Sequence, residues 1–542
     1  MNAVKMSNVI IRAWIIRTAL FLVVGVIMTV SVHAQAIHTD ANADLIKWGA
    51  CPPPPDGLPN AGQQCSTLSL PLDYRASNGQ TINIAISRIK AASPSLRRGV
   101  LLLNPGGPGG VGLDLPREFT ILLPQTVLDR YDLIGFDPRG VGRSAPLTCG
   151  LTPAEAIEAY APLEQPGGFS ATAAFVHNVA DDCTASTGAV LPFITTANTA
   201  RNMDQIRQAL GESKISYLGY SYGTYLGAVY SSLFPSHTDK VVLDSSVNPS
   251  WLWRGQFREW GPGGELRFPD FANFAAANDG TYHLGQTPAQ IYDVYFQLIN
   301  SLYKSPITFP DGTVFNAPMF RELLFGVLYD DSDFPALAPL WWILKDSPGD
   351  TAAVQHALQT VDPPSPSVPG VPSDNAATSG VAVLCGDIAW SHSIDQYQAE
   401  FNADSLLFPL FGALGSNIWS CAFWPNHPIE PPVPITSKGP SNILMVLNIR
   451  DPAAPYWGAL GMRAALGQRS RIVSVDQGGH GVYAFKPNVC ANDTMTAFLV
   501  NGVFPNNDTF CPAESGSTSS ETLNSQTKER VIKELLRQMK FK

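Results

Sequence analysis

Charged side chains make up only 15% of the 542 residues, and the basic ones are the scarcer, 35 Lys and Arg against 45 Asp and Glu. A formal charge of −10 leaves no basic footprint for nucleic acid or an anionic membrane. No two cysteines stand at CxxC spacing, so zinc ribbons and dithiol redox centres lack their ligands. No GK[ST] follows a glycine-rich run, which sets aside the P-loop nucleotide enzymes. No internal repeat is visible, and histidine is sparse at nine residues.

What is present is apolar. With 45% hydrophobic residues the chain can bury a large core and is not disordered. Lys5, Arg12 and Arg17 precede the apolar run Ala19–Val32, and Val32-His33-Ala34 places small residues at −3 and −1 of a cleavage site. Residues 1–34 are therefore expected to be a signal peptide. They contain three basic and no acidic residues, so the mature chain carries −13. All eight cysteines follow the cut, at 51, 65, 149, 183, 385, 421, 490 and 511. In an oxidising compartment they imply four disulfides. Connectivity is not fixed by spacing, but nearest-neighbour pairing is expected: Cys51 with Cys65, Cys149 with Cys183, Cys385 with Cys421, Cys490 with Cys511. The expected location is periplasmic or secreted, with no membrane contact after cleavage.

Along the chain, "CSTLSLPLDY" (65–74) and "TINIAISRIK" (81–90) alternate apolar and polar residues around Ser77-Asn78-Gly79, an antiparallel hairpin. Then come continuous apolar runs at 99–104, 131–137, 214–219, 240–244, 442–448 and 471–476, as in a parallel sheet covered on both faces. Helical stretches lie between them. In "NMDQIRQALG" (202–211), for example, Met203, Ile206 and Leu210 share a face. The expectation is an α/β fold with a mostly parallel sheet and an N-terminal antiparallel hairpin. The core occupies 35–249 and 381–512, and a mainly helical cap is inserted at 250–380. A Ser/Thr-rich spacer and an amphipathic helix, with Val531, Leu535 and Met539 on one face, close the chain at 513–542. Trp251, Trp253, Trp260, Trp341 and Trp342 all fall in the cap.

Gly219-Tyr220-Ser221-Tyr222-Gly223 stands between the strand "KISYLG" and the helical run "TYLGAVYSSLF". A strand, a Gly-x-Ser-x-Gly turn and a helix form a nucleophile elbow, in which only glycine fits beside the turn and the serine hydroxyl is held over the sheet edge. Such a serine needs a base and an acid, in the order Ser, Asp, His. His480 sits in the glycine-flanked "DQGGHGVY" after the strand "RIVSVD". The other histidines considered, at 177, 237, 283, 356, 392 and 427, lack such a setting. Asp451 follows the strand "NILMVLN", 29 residues before His480. "LLLNPGGPGGVG" (101–112) can bring backbone N–H groups to a developing oxyanion. The expected donors are Tyr222 and either Gly106 or Gly107. No metal or cofactor is called for.

These segments, with "DLIGFDPRGVGRS" (132–144), "VVLDSSVNP" (241–249), "CGDIAW" (385–390) and "RDPAAPYWGA", resemble the exported tripeptidyl aminopeptidase-like α/β-hydrolases, relatives of the proline iminopeptidases. The resemblance covers nearly all of residues 45–512. It implies an α/β-hydrolase fold with Ser221, Asp451 and His480 as the catalytic triad. It also implies a serine exopeptidase releasing short peptides or residues from peptide N-termini through an acyl-enzyme. The alternative is a carboxylesterase or amidase acting on a small substrate, with the Trp-rich cap as an apolar acyl pocket. In the family's aminopeptidases cap carboxylates hold the substrate's amine; the candidates here are Glu259, Glu265, Glu322, Asp330, Asp331 and Asp333. Two positions depart from the family pattern: Asp244-Ser245 for Asp-Gly, and Ala454 for threonine before Pro455. Neither is expected to touch the triad.

Overall fold

The computed structural model describes residues 46–514 and 523–540, apart from 55, 56, 77, 365 and 426. The expected signal peptide, residues 1–34, lies outside the described residues. The described sheet begins with β1 (Gly49–Ala50), β2 (Gln64–Pro71) and β3 (Thr81–Ile89), which pair antiparallel. β4 (Gly99–Asn104), β5 (Tyr131–Phe136), β6 (Ile215–Tyr220) and β7 (Thr238–Asp244) follow. The short β8 (Ile307–Thr308) and β9 (Val314–Phe315) pair only with each other. β10 (Ile443–Arg450), β11 (Ser470–Gly478) and β12 (Thr509–Cys511) complete the sheet, in the order β1-β2-β3-β5-β4-β6-β7-β10-β11-β12.

From β5 to β12 every pairing is parallel. β4, β6 and the inner part of β10 are buried throughout because helices cover both faces, which is why they read as unbroken apolar runs. A parallel sheet also sends all its carboxyl ends to one edge. Asn104, Tyr220, Asp244, Arg450 and Gly478 end their strands there, and the residues that follow each of them meet.

Between β7 and β10 the chain is helical apart from β8 and β9. The helices near the expected boundary at 380 have different partners. The helix Asn375–Asp387 does lie on the core, where Asn375 Nδ2 donates to Gly140 O and Leu147 O at 2.8 Å. The next helix, Ile394–Leu407, returns to the first cap helices instead: Glu400 pairs with Arg254 at 3.1 Å and Asp404 with Arg258 at 2.7 Å. The cap has its own aromatic core. Trp341 is buried against Phe271 and Phe320, and Trp260 against Phe257 and Phe325. These two tryptophans pack within the cap, while Trp342 is exposed.

The disulfides join Cys51 to Cys65, Cys149 to Cys183, Cys385 to Cys421 and Cys490 to Cys511. The helix Leu523–Met539 buries Val531, Leu535 and Met539. Its Lys533 reaches Asp333 of the cap at 3.3 Å. Among the described residues no helix is long and apolar enough to cross a membrane.

Candidate active site

Ser221 connects β6 to the helix Tyr222–Leu233 with φ +55° and ψ −124°, a backbone conformation L side chains rarely adopt. The surroundings enforce it. Its N–H donates to Asp244 O at 2.9 Å, and its carbonyl accepts Thr224 N–H at 2.9 Å and the Thr224 hydroxyl at 2.6 Å. The flanking glycines have no room for a side chain: a Cβ on Gly219 would lie 2.7 Å from Gly223 O, and one on Gly223 2.6 Å from Asn104 Oδ1.

Asp451 and His480 are both fully buried. His480 Nδ1 lies 2.8 and 2.9 Å from the two Asp451 carboxylate oxygens. A carboxylate only accepts, so Nδ1 carries the proton and donates, leaving the Nε2 lone pair available. Nε2 is buried with no hydrogen-bond partner among the described residues. Asp451 Oδ1 also accepts the N–H groups of Ala453 and Ala454 at 2.9 Å. From the cap, Tyr329 accepts the His480 N–H on its carbonyl at 2.9 Å and sets its ring 4.8 Å from the imidazole.

Of the two departures from the family pattern, Ala454, contrary to expectation, touches Asp451, while Ser245 touches Gly481, next to His480. Ala454 contributes through its backbone, which is why threonine is dispensable for that bond. Ser245, at φ +60°, accepts the Gly481 N–H on its hydroxyl at 2.9 Å, beside His480. Asp244, given no role from the sequence, accepts the N–H groups of Val482 (3.0 Å) and Tyr483 (2.7 Å). Burial pushes its carboxyl up to about 7 against the pull of those bonds and of His480. Its carbonyl holds Ser221 while its carboxylate holds the loop after His480, so one residue ties nucleophile to base. Only its position at the end of a central strand signals this.

Gly106 and Gly107, at φ +102° and +101°, bring the glycine loop against the elbow. A Cβ on Gly106 would stand 3.0 Å from Ser221 Cβ and 3.3 Å from Tyr222 N. The Gly106 N–H itself donates to Asn104 Oδ1 at 3.1 Å.

The six cap carboxylates do not all gather at one point, although the charges of Asp333, Glu322 and Asp330 all bear on Lys540, which lies over the Tyr329 ring. Glu259 accepts from Trp457 Nε1 at 2.7 Å, and Glu265 from the Leu410 N–H at 2.8 Å. Asp330 pairs with Lys486 at 3.0 Å, Asp331 with Arg267, and Asp333 with Lys533 and Lys540. Glu322 lies near enough for its charge to bear on Tyr329, whose hydroxyl is held up first by burial, then by Asp451 and Glu322.

The α/β-hydrolase fold model matches residues 99–333 and the TAP-like protein model residues 409–511. A tripeptidyl aminopeptidase of Streptomyces lividans is 35% identical over 467 residues, 83% of each chain. The chain belongs to the TAP-like α/β-hydrolase family. It is also similar to the serine protease Hip1 of Mycobacterium tuberculosis, 28% identical over 83% of this chain and 87% of that one. A carboxylesterase B of the same organism is 29% identical over 82% and 85%. The chain is a hydrolase of this family.

Proposed function

We propose that the protein is an exported serine exopeptidase that cleaves short peptides or single residues from peptide N-termini through an acyl-enzyme. The observation that carries the mechanism is the His480–Asp451 pair, with Nε2 left open, on the same sheet edge as a serine held at positive φ after β6 and tied through Asp244 to the loop after His480. In the reaction His480 Nε2 takes the Ser221 proton as Oγ attacks the carbonyl, then returns it to the leaving amine; Asp451 orients and stabilises the imidazolium. The N–H groups of Tyr222 and Gly107 receive the oxyanion, since that of Gly106 is already engaged by Asn104. Four disulfides and the leader-like residues 1–34 support export.

Peptide substrates are supported by the relatives named tripeptidyl aminopeptidase and serine protease. The ammonium of the substrate is assigned to a carboxylate of the cap, and Glu322 is the first to test, since its charge bears on Tyr329, the residue over His480, as well as on Lys540. Ser221→Ala is expected to lower turnover by several orders of magnitude and to abolish labelling by a fluorophosphonate probe; persistent labelling would point to another nucleophile. Glu322→Gln is expected to cost about 2–4 kcal/mol of transition-state binding on free-amine peptides, the scale of a broken desolvated charge pair. N-acetylated analogues should lose little. Asp331→Asn, whose exposed carboxylate pairs with the buried Arg267, is the control. The relative named carboxylesterase B favours a second reading, ester hydrolysis. A wild-type enzyme that prefers acyl esters or acetylated substrates over free-amine peptides would establish it.

A further inference from the structure

The segment "CGDIAW" carries a family resemblance without a role in the triad, and its aspartate lies deep between core and cap. We propose that Asp387 is a positioning residue for the oxyanion hole: through Thr196 it holds the Tyr222 side chain, and with it the backbone N–H beside the nucleophile. This rests on the mechanism proposed above for Ser221.

Asp387 ends the helix Asn375–Asp387 and is buried. Its Oδ1 accepts the Thr196 N–H at 2.7 Å; its Oδ2 accepts the Thr196 hydroxyl at 2.6 Å and Trp253 Nε1–H at 3.3 Å. The Thr196 hydroxyl also lies 2.7 Å from the Tyr222 hydroxyl. A carboxylate only accepts, so the single Thr196 proton goes to Asp387, and Tyr222 must donate to Thr196. The polarity of the chain is thereby fixed: Tyr222 OH to Thr196 Oγ1 to Asp387 Oδ2.

Each member comes from a different part of the fold. Thr196 opens the helix Thr196–Ala209, which packs along the helix behind the nucleophile. Trp253 opens the cap and sets its ring 5.7 Å from that of Tyr222 and edge-on to that of Tyr225 at 5.1 Å. Among the described residues no basic side chain pairs with Asp387. An uncompensated buried carboxylate is costly to keep, and burial drives its carboxyl up to about 6 despite the Thr196 and Trp253 bonds. A carboxylate offers two acceptors and no competing donor. An amide would turn its NH2 either toward the Thr196 backbone N–H or toward the Thr196 hydroxyl and Trp253 Nε1–H, leaving buried donors unpaired and loosening the hold on Thr196. Misplacement of catalytic groups by about 1 Å costs on the order of 100-fold in rate, so an anchored Tyr222 bears on kcat.

The test compares Asp387→Asn, Thr196→Val, Thr196→Ser and Tyr222→Phe in the full-length enzyme. Thermal melts establish folding, and kcat, KM and affinity for a peptidyl boronate that forms a tetrahedral adduct on serine are measured. Asp387→Asn, Thr196→Val and Tyr222→Phe should each lower kcat by about 10- to 100-fold with KM little changed, and weaken the boronate in parallel. Asp387→Asn with Tyr222→Phe should be no worse than either alone, and Thr196→Ser should retain wild-type kcat. Tyr222→Phe or Thr196→Val with unchanged kcat, additive losses, or losses confined to KM or melting temperature would overturn the proposal. If Asp387→Asn does not fold, Thr196→Val and Tyr222→Phe decide it. Failure of the mechanism itself is separate: wild-type Ser221 would not take a fluorophosphonate.

Discussion

At the scale of the residue, two serines occupy backbone conformations that suit glycine, Ser221 at φ +55° and Ser245 at φ +60°. Each such conformation costs on the order of 1–3 kcal/mol and persists where surroundings over-determine it. Ser221→Gly should therefore be inactive yet melt no lower than wild type; a marked fall in melting temperature would mean the hydroxyl, not the turn, holds the elbow. Ser245 tests the opposite balance, since its hydroxyl accepts the Gly481 N–H. Ser245→Ala keeps the strained backbone and leaves a buried donor unpaired, at a cost of about 1–3 kcal/mol. Ser245→Gly relieves the strain and should be the milder change by chemical denaturation. The turn at Ser221 and the pairing of Asp451 with His480 were legible in the sequence because each residue announces itself locally, by flanking glycines or a strand end. Ser245 and Asp387 were not, because their partners lie 236 and 191 residues away.

At the scale of the element, continuous apolar runs found the central strands because burial on both faces leaves only apolar positions. β12 escaped, since three residues, Thr509–Cys511, carry no periodicity and owe their pairing to β11. The partners of the later helices were also hidden. The helix Ile394–Leu407 has half-apolar composition like any other; its ion pairs of Glu400 and Asp404 with Arg254 and Arg258 and the Arg254–Tyr397 contact tie it to the first cap helices, while Phe401 packs on Phe169 of the core. Helix composition likewise says nothing of which tryptophans face a partner helix rather than a ligand. The disulfide Cys385–Cys421 ties the Asp387 helix to the turn Ser420–Phe423 and closes a separation of 36 residues, against 14 for Cys51–Cys65. Its half-cystines are also buried, whereas Cys51 and Cys65 are only partly so. Replacing both Cys385 and Cys421 by alanine should cost about 2–4 kcal/mol and lower the melting point more than the same change at Cys51 and Cys65. Equal losses would show that the longer loop adds nothing.

At the scale of the whole molecule, burial raises the carboxyls of three aspartates that have no ion-pair partner among the described residues: Asp137 and Asp387 to about 6 and Asp244 to about 7. Each accepts backbone N–H groups that join distant segments: Asp137 those of Gly112, Leu113 and Arg143, Asp244 those of Val482 and Tyr483, Asp387 that of Thr196. In the unfolded chain an aspartate titrates near ~3.9. Between that value and the folded one the native state binds the proton more tightly, so stability falls as pH rises through the window. The stability from each raised pKa is complete below ~pH 3.9 and is lost as pH passes the folded value. Asp204, Asp330 and Asp404, held below the ordinary range by basic partners despite burial, act in the opposite sense and lose stability as pH falls. A melting curve of the wild type alone mixes the two groups. Asp244→Asn separates them, because only the Asp244 contribution drops out; the titratable groups whose charges bear on it are His480 and Tyr220. The variant loses good acceptors and should melt below wild type. The gap should be widest near pH 4 and shrink toward pH 7.5, as the wild type takes on the cost of ionising Asp244. A gap that stays constant, or widens with pH, would mean that Asp244 is an ordinary ionised carboxylate in the folded protein.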